Sequence, residues 1–318
     1  MAKRFEKNAR VGFIGDSITA NGLFIAYIFD YYQTHFQGDR VKLNGAGIPG
    51  GAVWTAEQYF DDFLRFEPTH AVIMLGMNDI WRGHYAENAT PEMVTQREAR
   101  IPIYKEGMEG LIKRLLSLGI GVTLCSPTPY DEGLQSDAEC LHGCADALRL
   151  CSEICRRLAE KYGLDFIDLN AELCALNEKL HAIDPKLSVE GPDRVHPHDL
   201  GHAAVARVFL RAQGFTDVAP PTPEGMLDGT VTMPLSDKGC RRLESERIIR
   251  EIYLAEAHLL REDYQLSVGE RIARVEAMKA RGYTSDFQKR LAEHYLTYKS
   301  EEDALYRELM QLTDALYE

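Results

Sequence analysis

The chain has 318 residues, an apolar fraction of 45% and a formal net charge of −13 at pH 7. That length suits one large domain or two unequal ones. No run approaches the roughly 18 apolar residues that a membrane span requires, and the acidic balance argues against a nucleic-acid partner, which needs clustered Lys and Arg. The basic N-terminus has no apolar stretch before the first strand, so no leader is expected and the default location is cytoplasmic.

The first predicted strand, residues 11–14, runs into Gly15-Asp16-Ser17. A serine at that corner sits at the carboxyl end of a strand, where open parallel sheets bind their ligands. Gly15 permits the sharp turn that exposes it. An amphipathic helix is predicted over 23–36 and a second strand over 41–43, followed by Asn44-Gly-Ala-Gly-Ile-Pro-Gly-Gly51. After a predicted helix over 53–66 comes a third strand at 71–75, ending in Gly76-Met-Asn-Asp79. Further alternation is expected: a helix over 104–118, a strand over 121–125, a helix over 148–162, a strand over 166–169 and a helix over 200–210. Nearly continuous apolar strands alternating with helices imply a parallel sheet covered on both faces. Before the last of these helices lies Asp193-Arg-Val-His196-Pro197, an acid three residues ahead of a histidine.

These four blocks, in this order, resemble those of the SGNH hydrolases, the GDSL-like esterases and lipases. The resemblance spans about residues 10–213. It implies a three-layer α/β/α sandwich with a flavodoxin-like, five-stranded parallel sheet in the order 2-1-3-4-5. It also implies a serine esterase. Ser17 would be the nucleophile, His196 the base, and Asp193 the partner that fixes the imidazole tautomer. The oxyanion hole would be the Ser17 N–H, a glycine N–H from the second block and the Asn78 side-chain amide. Gly50, the glycine after Gly-Ile-Pro, fits that second position best, with Gly51 as the alternative. The α/β-hydrolase elbow G-x-S-x-G is absent. Gly45-Ala-Gly-Ile-Pro-Gly50 matches a dinucleotide-binding pattern, but Pro49 removes an N–H where a pyrophosphate wants one.

Both tryptophans of the chain lie near these blocks. Trp54, Trp81 and the adjacent Arg82 are candidate substrate-binding residues, since aromatic faces beside polar groups suit a sugar ring better than a long acyl chain. Together with the many SGNH relatives that deacetylate carbohydrates, this points to an acetyl ester on a carbohydrate. A short-chain or lysophospholipase-like esterase is the alternative, and a catalytically silent carbohydrate-binding module is the non-enzymatic one. No cofactor or metal is called for. His196, His198 and His202 lack a fourth ligand at suitable spacing. Cys140, Cys144, Cys151 and Cys155 recur at helical spacing and read as a core-facing stripe. Asp16 and Asp79 are read as holding loop backbone, and His70 as structural.

The alternation stops at about residue 219, where Ala219-Pro-Pro-Thr-Pro-Glu-Gly225 reads as a linker. Two units are therefore expected, a hydrolase domain over 1–218 and a linker with a helical extension over 219–318. Leu254, Leu259, Leu260, Ile272, Val275, Met278, Leu291 and Tyr295 fall at helical spacings, with breaks near Gly269 and at 281–285. The extension could pack on the catalytic domain, roof the site or support a homo-oligomer.

Overall fold

The computed structural model describes residues 2–259 and 266–315. Five strands, β1 (Arg10–Gly15), β2 (Lys42–Gly47), β3 (His70–Met74), β4 (Gly121–Cys125) and β5 (Asp165–Ile167), form one parallel sheet in the order β2-β1-β3-β4-β5. Gly15 pairs in register with Gly47 on one side and Met74 on the other. The three strands therefore end level, and the loops that follow them, with the Ser, Gly and Asn blocks, open on one edge.

Alternate residues of each strand serve opposite layers, as the two-residue period requires. Val72 and Met74 enter the core formed with α2 (Leu23–His35), α7 (Leu169–His181) and α8 (Asp199–Ala212). Ala71, Ile73 and Leu75 enter the other, with α5 (Pro91–Ser117) and α6 (Cys144–Tyr162). The result is the three-layer α/β/α sandwich. A short α1 (Ser17–Asn21) follows β1, and α3 (Val53–Gln58) and α4 (Phe60–Leu64) follow β2.

Three elements differ from the sequence reading. The predicted helix over 53–66 breaks at Tyr59, and Arg271 donates to the freed Gln58 carbonyl at 3.2 Å. The helix expected from 104 begins at Pro91, with Thr90 capping the Met93 N–H, and it continues through Pro102. α7 was not foreseen at all, although Asp168 caps the Ala171 N–H at its start.

The tail forms α9 (Pro223–Asp228), α10 (Asp237–Leu259), α11 (Val268–Arg281) and α12 (Asp286–Ala315). The predicted linker is folded: Met226 and Val231 are buried in the same core as Val218 and Phe209. Arg207 ties it down, donating to the carbonyls of Val231, Ala219, Thr230 and Thr232. Arg242 of α10 is fully buried and donates to Leu43 O at 3.0 Å, with its guanidinium over the Phe29 ring. It thereby covers an outward carbonyl of β2, the edge strand. A second anchor gathers Asp62 of α4 and Arg65 at its C-cap, Arg271 of α11, and Lys299 and Glu302 of α12. Only Arg65 among these five is appreciably exposed. The extension also has a small core of its own, in which Val275, Ala292 and Tyr295 are buried. Both predicted breaks are present: α11 starts at Val268 behind the Ser267 N-cap, beside Gly269, and Gly282 ends it. Leu260 and the side chains of Leu254 and Leu259 lie outside the described residues. Among the described residues no helix is long and apolar enough to cross a membrane.

Candidate active site

Ser17 opens α1, whose N-cap is Asp16; the Asp16 carboxylate accepts the Ile18 N–H at 2.9 Å. Asp-Ser is thus both a cap and an exposure device, because the first helical residue projects from the strand end. The second block packs directly on it. A Cβ on Gly47 would stand 2.2 Å from Ala20 N and 2.7 Å from Asp16 O, so only glycine lets β2 approach α1. That steric demand accounts for a glycine of the dinucleotide-like pattern without any phosphate. Gly51 N–H donates to Ile48 O at 2.7 Å and closes a turn, in which Gly50 adopts φ +73°. Gly50 N–H has no hydrogen-bond partner among the described residues.

The third block is tied to the second. Asn78 Nδ2 donates to Gly51 O at 2.9 Å, and Arg82 donates to Asn78 Oδ1 at 3.4 Å. One amide hydrogen of Asn78 is left to point elsewhere. Asp79 accepts the Val53 N–H at 3.0 Å, so both flanking acids hold backbone. Burial raises each of them to about 6, despite the favourable N–H bonds from Ile18 to Asp16 and from Val53 to Asp79.

The fourth block arrives from the loop before α8. Ser17 Oγ lies 2.7 Å from His196 Nε2, and His196 Nδ1 lies 2.5 Å from Asp193 Oδ2. The other Asp193 oxygen accepts the backbone N–H groups of Val195 and His196 at 3.1 and 3.0 Å. Partial burial pushes the Asp193 carboxyl up, but the bonds from His196 and Val195 outweigh it and hold it below the usual carboxylate range. Residues separated by 179 positions are thus joined in one hydrogen-bonded chain.

Arg194, between Asp193 and His196, is buried and left-handed at φ +67°. It donates to the carbonyls of Asp131, Leu134 and Ala138, pinning the turn to the loop after β4. The sequence reading missed this residue, because an arginine in a polar loop carries no mark of burial. The turn is also closed by Gly191 N–H to His196 O at 2.7 Å and by an antiparallel bridge between Glu190 and Pro197.

The structure separates the other histidines. His198 caps α8, accepting from Gly201 N–H and donating to Ser188 O at 2.8 Å. His202 is buried against the Phe24 ring, and burial pushes it down to about 3. Among the described residues no cluster is suited to a metal ion. Cys144, Cys151 and Cys155 do form a buried stripe on α6, but Cys140 lies before that helix with its thiol on Glu132 O. His70 opens β3 and bonds Thr123 Oγ1 at 2.9 Å. Trp54 and Trp81 are 54% and 41% exposed, high values for the largest apolar side chain. Trp81 is held at φ +55° with the Arg100 guanidinium 4.5 Å over its ring.

Residues 13–204 match the model of the GDSL-like lipase/acylhydrolase family. The chain belongs to that family. Membership makes it a carboxylic ester hydrolase. It is 26% identical to an acetylxylan esterase of Geobacillus stearothermophilus over 219 residues, covering 64% of this chain and 93% of that protein. A solved acetyl xylan esterase is 27% identical over 64% of this chain and 98% of its own, with a TM-score of 0.52. A gut microbial diltiazem-metabolizing enzyme is 18% identical but superposes over 98% of this chain and 96% of its own, with a TM-score of 0.75. That likeness is one of fold alone, and it extends over nearly the whole chain, whereas the esterase matches cover 64% of it.

Proposed function

We propose that this hydrolase removes an acetyl group from a carbohydrate ester through Ser17, His196 and Asp193. The observation that carries the reading is the unbroken hydrogen-bonded chain from Ser17 Oγ through the imidazole to the Asp193 carboxylate. His196 Nε2 takes the Ser17 proton as Oγ bonds to the ester carbonyl carbon. The protonated imidazole, stabilised by Asp193, then gives that proton to the departing sugar oxygen as the old C–O bond breaks. Water repeats the sequence on the acyl-serine: it loses a proton to His196, attacks the carbonyl carbon, and releases acetate while Ser17 Oγ regains the proton.

The negative charge that builds on the carbonyl oxygen needs fixed donors. Ser17 N–H, Gly50 N–H and the remaining Asn78 amide hydrogen are the three candidates. Gly50 is favoured over Gly51, whose N–H is committed to Ile48 O. For the leaving group, exposed Trp54 and Trp81 offer faces for a pyranose ring, and Arg82 offers N–H donors to its hydroxyls. The acetylxylan esterases among the relatives agree with that choice.

The test is Ser17→Ala assayed on p-nitrophenyl acetate and on acetylated xylo-oligosaccharides. Turnover should fall by about three powers of ten or more, with an unchanged melting temperature. A folded variant retaining above about one per cent of the wild-type rate would remove Ser17 as the nucleophile. For the substrate class, acetate release from the oligosaccharide should exceed release from longer acyl esters of p-nitrophenol. Preference for a long acyl chain would contradict the carbohydrate reading.

A further inference from the structure

A cluster of buried polar groups underlies the turn that carries Asp193 and His196. Ser188 and Glu190, just upstream of that turn, are buried, as is Asp131 on the loop after β4. Ser188 Oγ lies 2.5 Å from Asp131 Oδ2 and 3.0 Å from Glu190 Oε2. A hydroxyl has one proton and can donate to only one carboxylate. The shorter contact claims it, so Ser188 donates to Asp131. Glu190 Oε2 must then carry a proton of its own and donate it to Ser188 Oγ. The same oxygen accepts the Asn177 Nδ2–H at 2.7 Å, while Asn177 Oδ1 accepts the Val189 N–H at 2.8 Å. Proton counting therefore gives a directed chain, Asn177 to Glu190 to Ser188 to Asp131.

The surroundings agree with a neutral Glu190. Its Oε1 is buried without a hydrogen-bond partner, a place where an ionised carboxylate would be strongly penalised. The charged and titratable groups facing the cluster come from three directions. His181 of α7 meets Asp131 Oδ2 at 3.0 Å, and Cys174 of the same helix stands near Glu190. Arg194 donates to Asp131 O at 3.1 Å from the turn itself, and His198 donates to Ser188 O from the start of α8. None of these gives Glu190 a direct counterion. Burial pushes its carboxyl up to about 8, with the nearby Asp131 charge acting in the same sense.

We propose that Glu190, neutral and linked through Ser188 to Asp131, is a positioning residue for the Asp193–His196 pair. The inference rests on the triad reading above. Its geometry is direct: Glu190 bridges Pro197, Gly191 N–H bonds His196 O, and both legs of the turn stand on this buried chain. Ionising Glu190 would remove the proton that links it to Ser188 and set a second negative charge beside Asp131. The turn would loosen and His196 would drift from Ser17. A triad without this device has no reason to lose turnover in mild alkali.

The experiment is a pH profile of kcat and KM on p-nitrophenyl acetate, corrected for spontaneous hydrolysis, for wild type, Glu190→Gln and Ser188→Ala. Wild-type kcat should fall about threefold or more between about pH 7.5 and 9.5, with KM within about twofold. Glu190→Gln is neutral at every pH and offers an N–H where the acid offers an O–H, though it strains the Asn177 contact. It should keep kcat within about tenfold of wild type at neutral pH and show no alkaline fall. Ser188→Ala breaks the chain and should lower kcat about tenfold or more with KM nearly unchanged. An alkaline fall that persists in Glu190→Gln, or its absence in wild type, would overturn the proposal. If Ser188→Ala does not fold, the Glu190→Gln comparison decides alone. Ser17→Ala run beside them separates the two levels: its loss of activity with an unaltered limb in Glu190→Gln refutes the positioning role only, whereas an active Ser17→Ala refutes the triad.

Discussion

Gly47→Ala is the sharpest way to ask whether the second block positions Ser17. The added methyl would meet backbone on every side: Ala20 N at 2.2 Å, Thr19 C at 2.6 Å and Asp16 O at 2.7 Å. No rotamer change relieves a clash with backbone, so α1 and β2 must separate by about 1.2 Å to reach ordinary contact distance. If Ser17 moves with α1, its 2.7 Å contact to His196 lengthens to about 3.9 Å, beyond hydrogen-bond reach. Misplacement by about 1 Å costs roughly 100-fold in rate, and overpacking of this kind costs about 1–3 kcal/mol, or some 3–10 °C in Tm. The assay is kcat and KM on p-nitrophenyl acetate with Tm on the same preparation. Gly110→Ala serves as a control, since nothing lies within 4 Å of its added methyl in the middle of α5; it should raise stability by about 0.5–1 kcal/mol and leave kcat alone. Wild-type kcat and Tm in Gly47→Ala would refute the argument that this close approach sets the position of Ser17.

In the oxyanion role proposed above, the Asn78 amide serves only once charge has built on the carbonyl oxygen, so Asn78→Ala should lower kcat about 10²–10³-fold with KM little changed; normal turnover with a lowered Tm would make it a turn residue. Arg242→Ala should cost about 3 kcal/mol or more in a urea titration, since it leaves the Leu43 carbonyl without its donor and empties a fully buried site. A loss below about 0.5 kcal/mol would show that α10 does not seal the sheet edge. Asp16 and Asp79 give a pH signature. Both have folded values near 6, above the ordinary 3.8, so their contribution to stability is fully present below about pH 3.8 and is lost as pH rises towards 6. Asp79→Asn should therefore gain about 2 kcal/mol relative to wild type on going from about pH 4.5 to 7. An equal difference at both pH values would contradict the raised acid.

The strand ends were legible because glycine, asparagine and serine seldom gather by chance at the close of an apolar run, and four such blocks in order reinforce one another. The sheet order followed from that resemblance, not from the strands themselves. α7 was missed because its apolar positions begin where β5 ends, so Leu169 read as the last strand residue. The early start of α5 was marked by Thr90-Pro91, but its first turns are largely exposed and show no apolar stripe. The prolines at 220–223 suggested a tether, yet Pro223 occupies the first turn of α9, where its missing N–H does no harm. Arg194, Ser188 and Glu190 could not be found in the sequence: polar residues in a loop read as solvated, and only the fold reveals that this loop is roofed over.

The anchor between α4 and the last helix has a consequence for synthesis. Arg65 and Glu302, which meet at 2.8 Å, are 237 positions apart. At about 5–20 residues per second, the ribosome needs roughly 12–50 seconds after making α4 to deliver its partner. The sheet, with Ser17 at its edge, is complete by Ile167, long before that. A nascent chain that has reached α8 holds the sheet and the Ser17, Asn78 and His196 loops while Asp62 and Arg65 still await Arg271, Lys299 and Glu302. Premature termination after α11 but before Lys299 would release a protein with a finished sheet and an open, charged seam, a ready substrate for quality-control proteases.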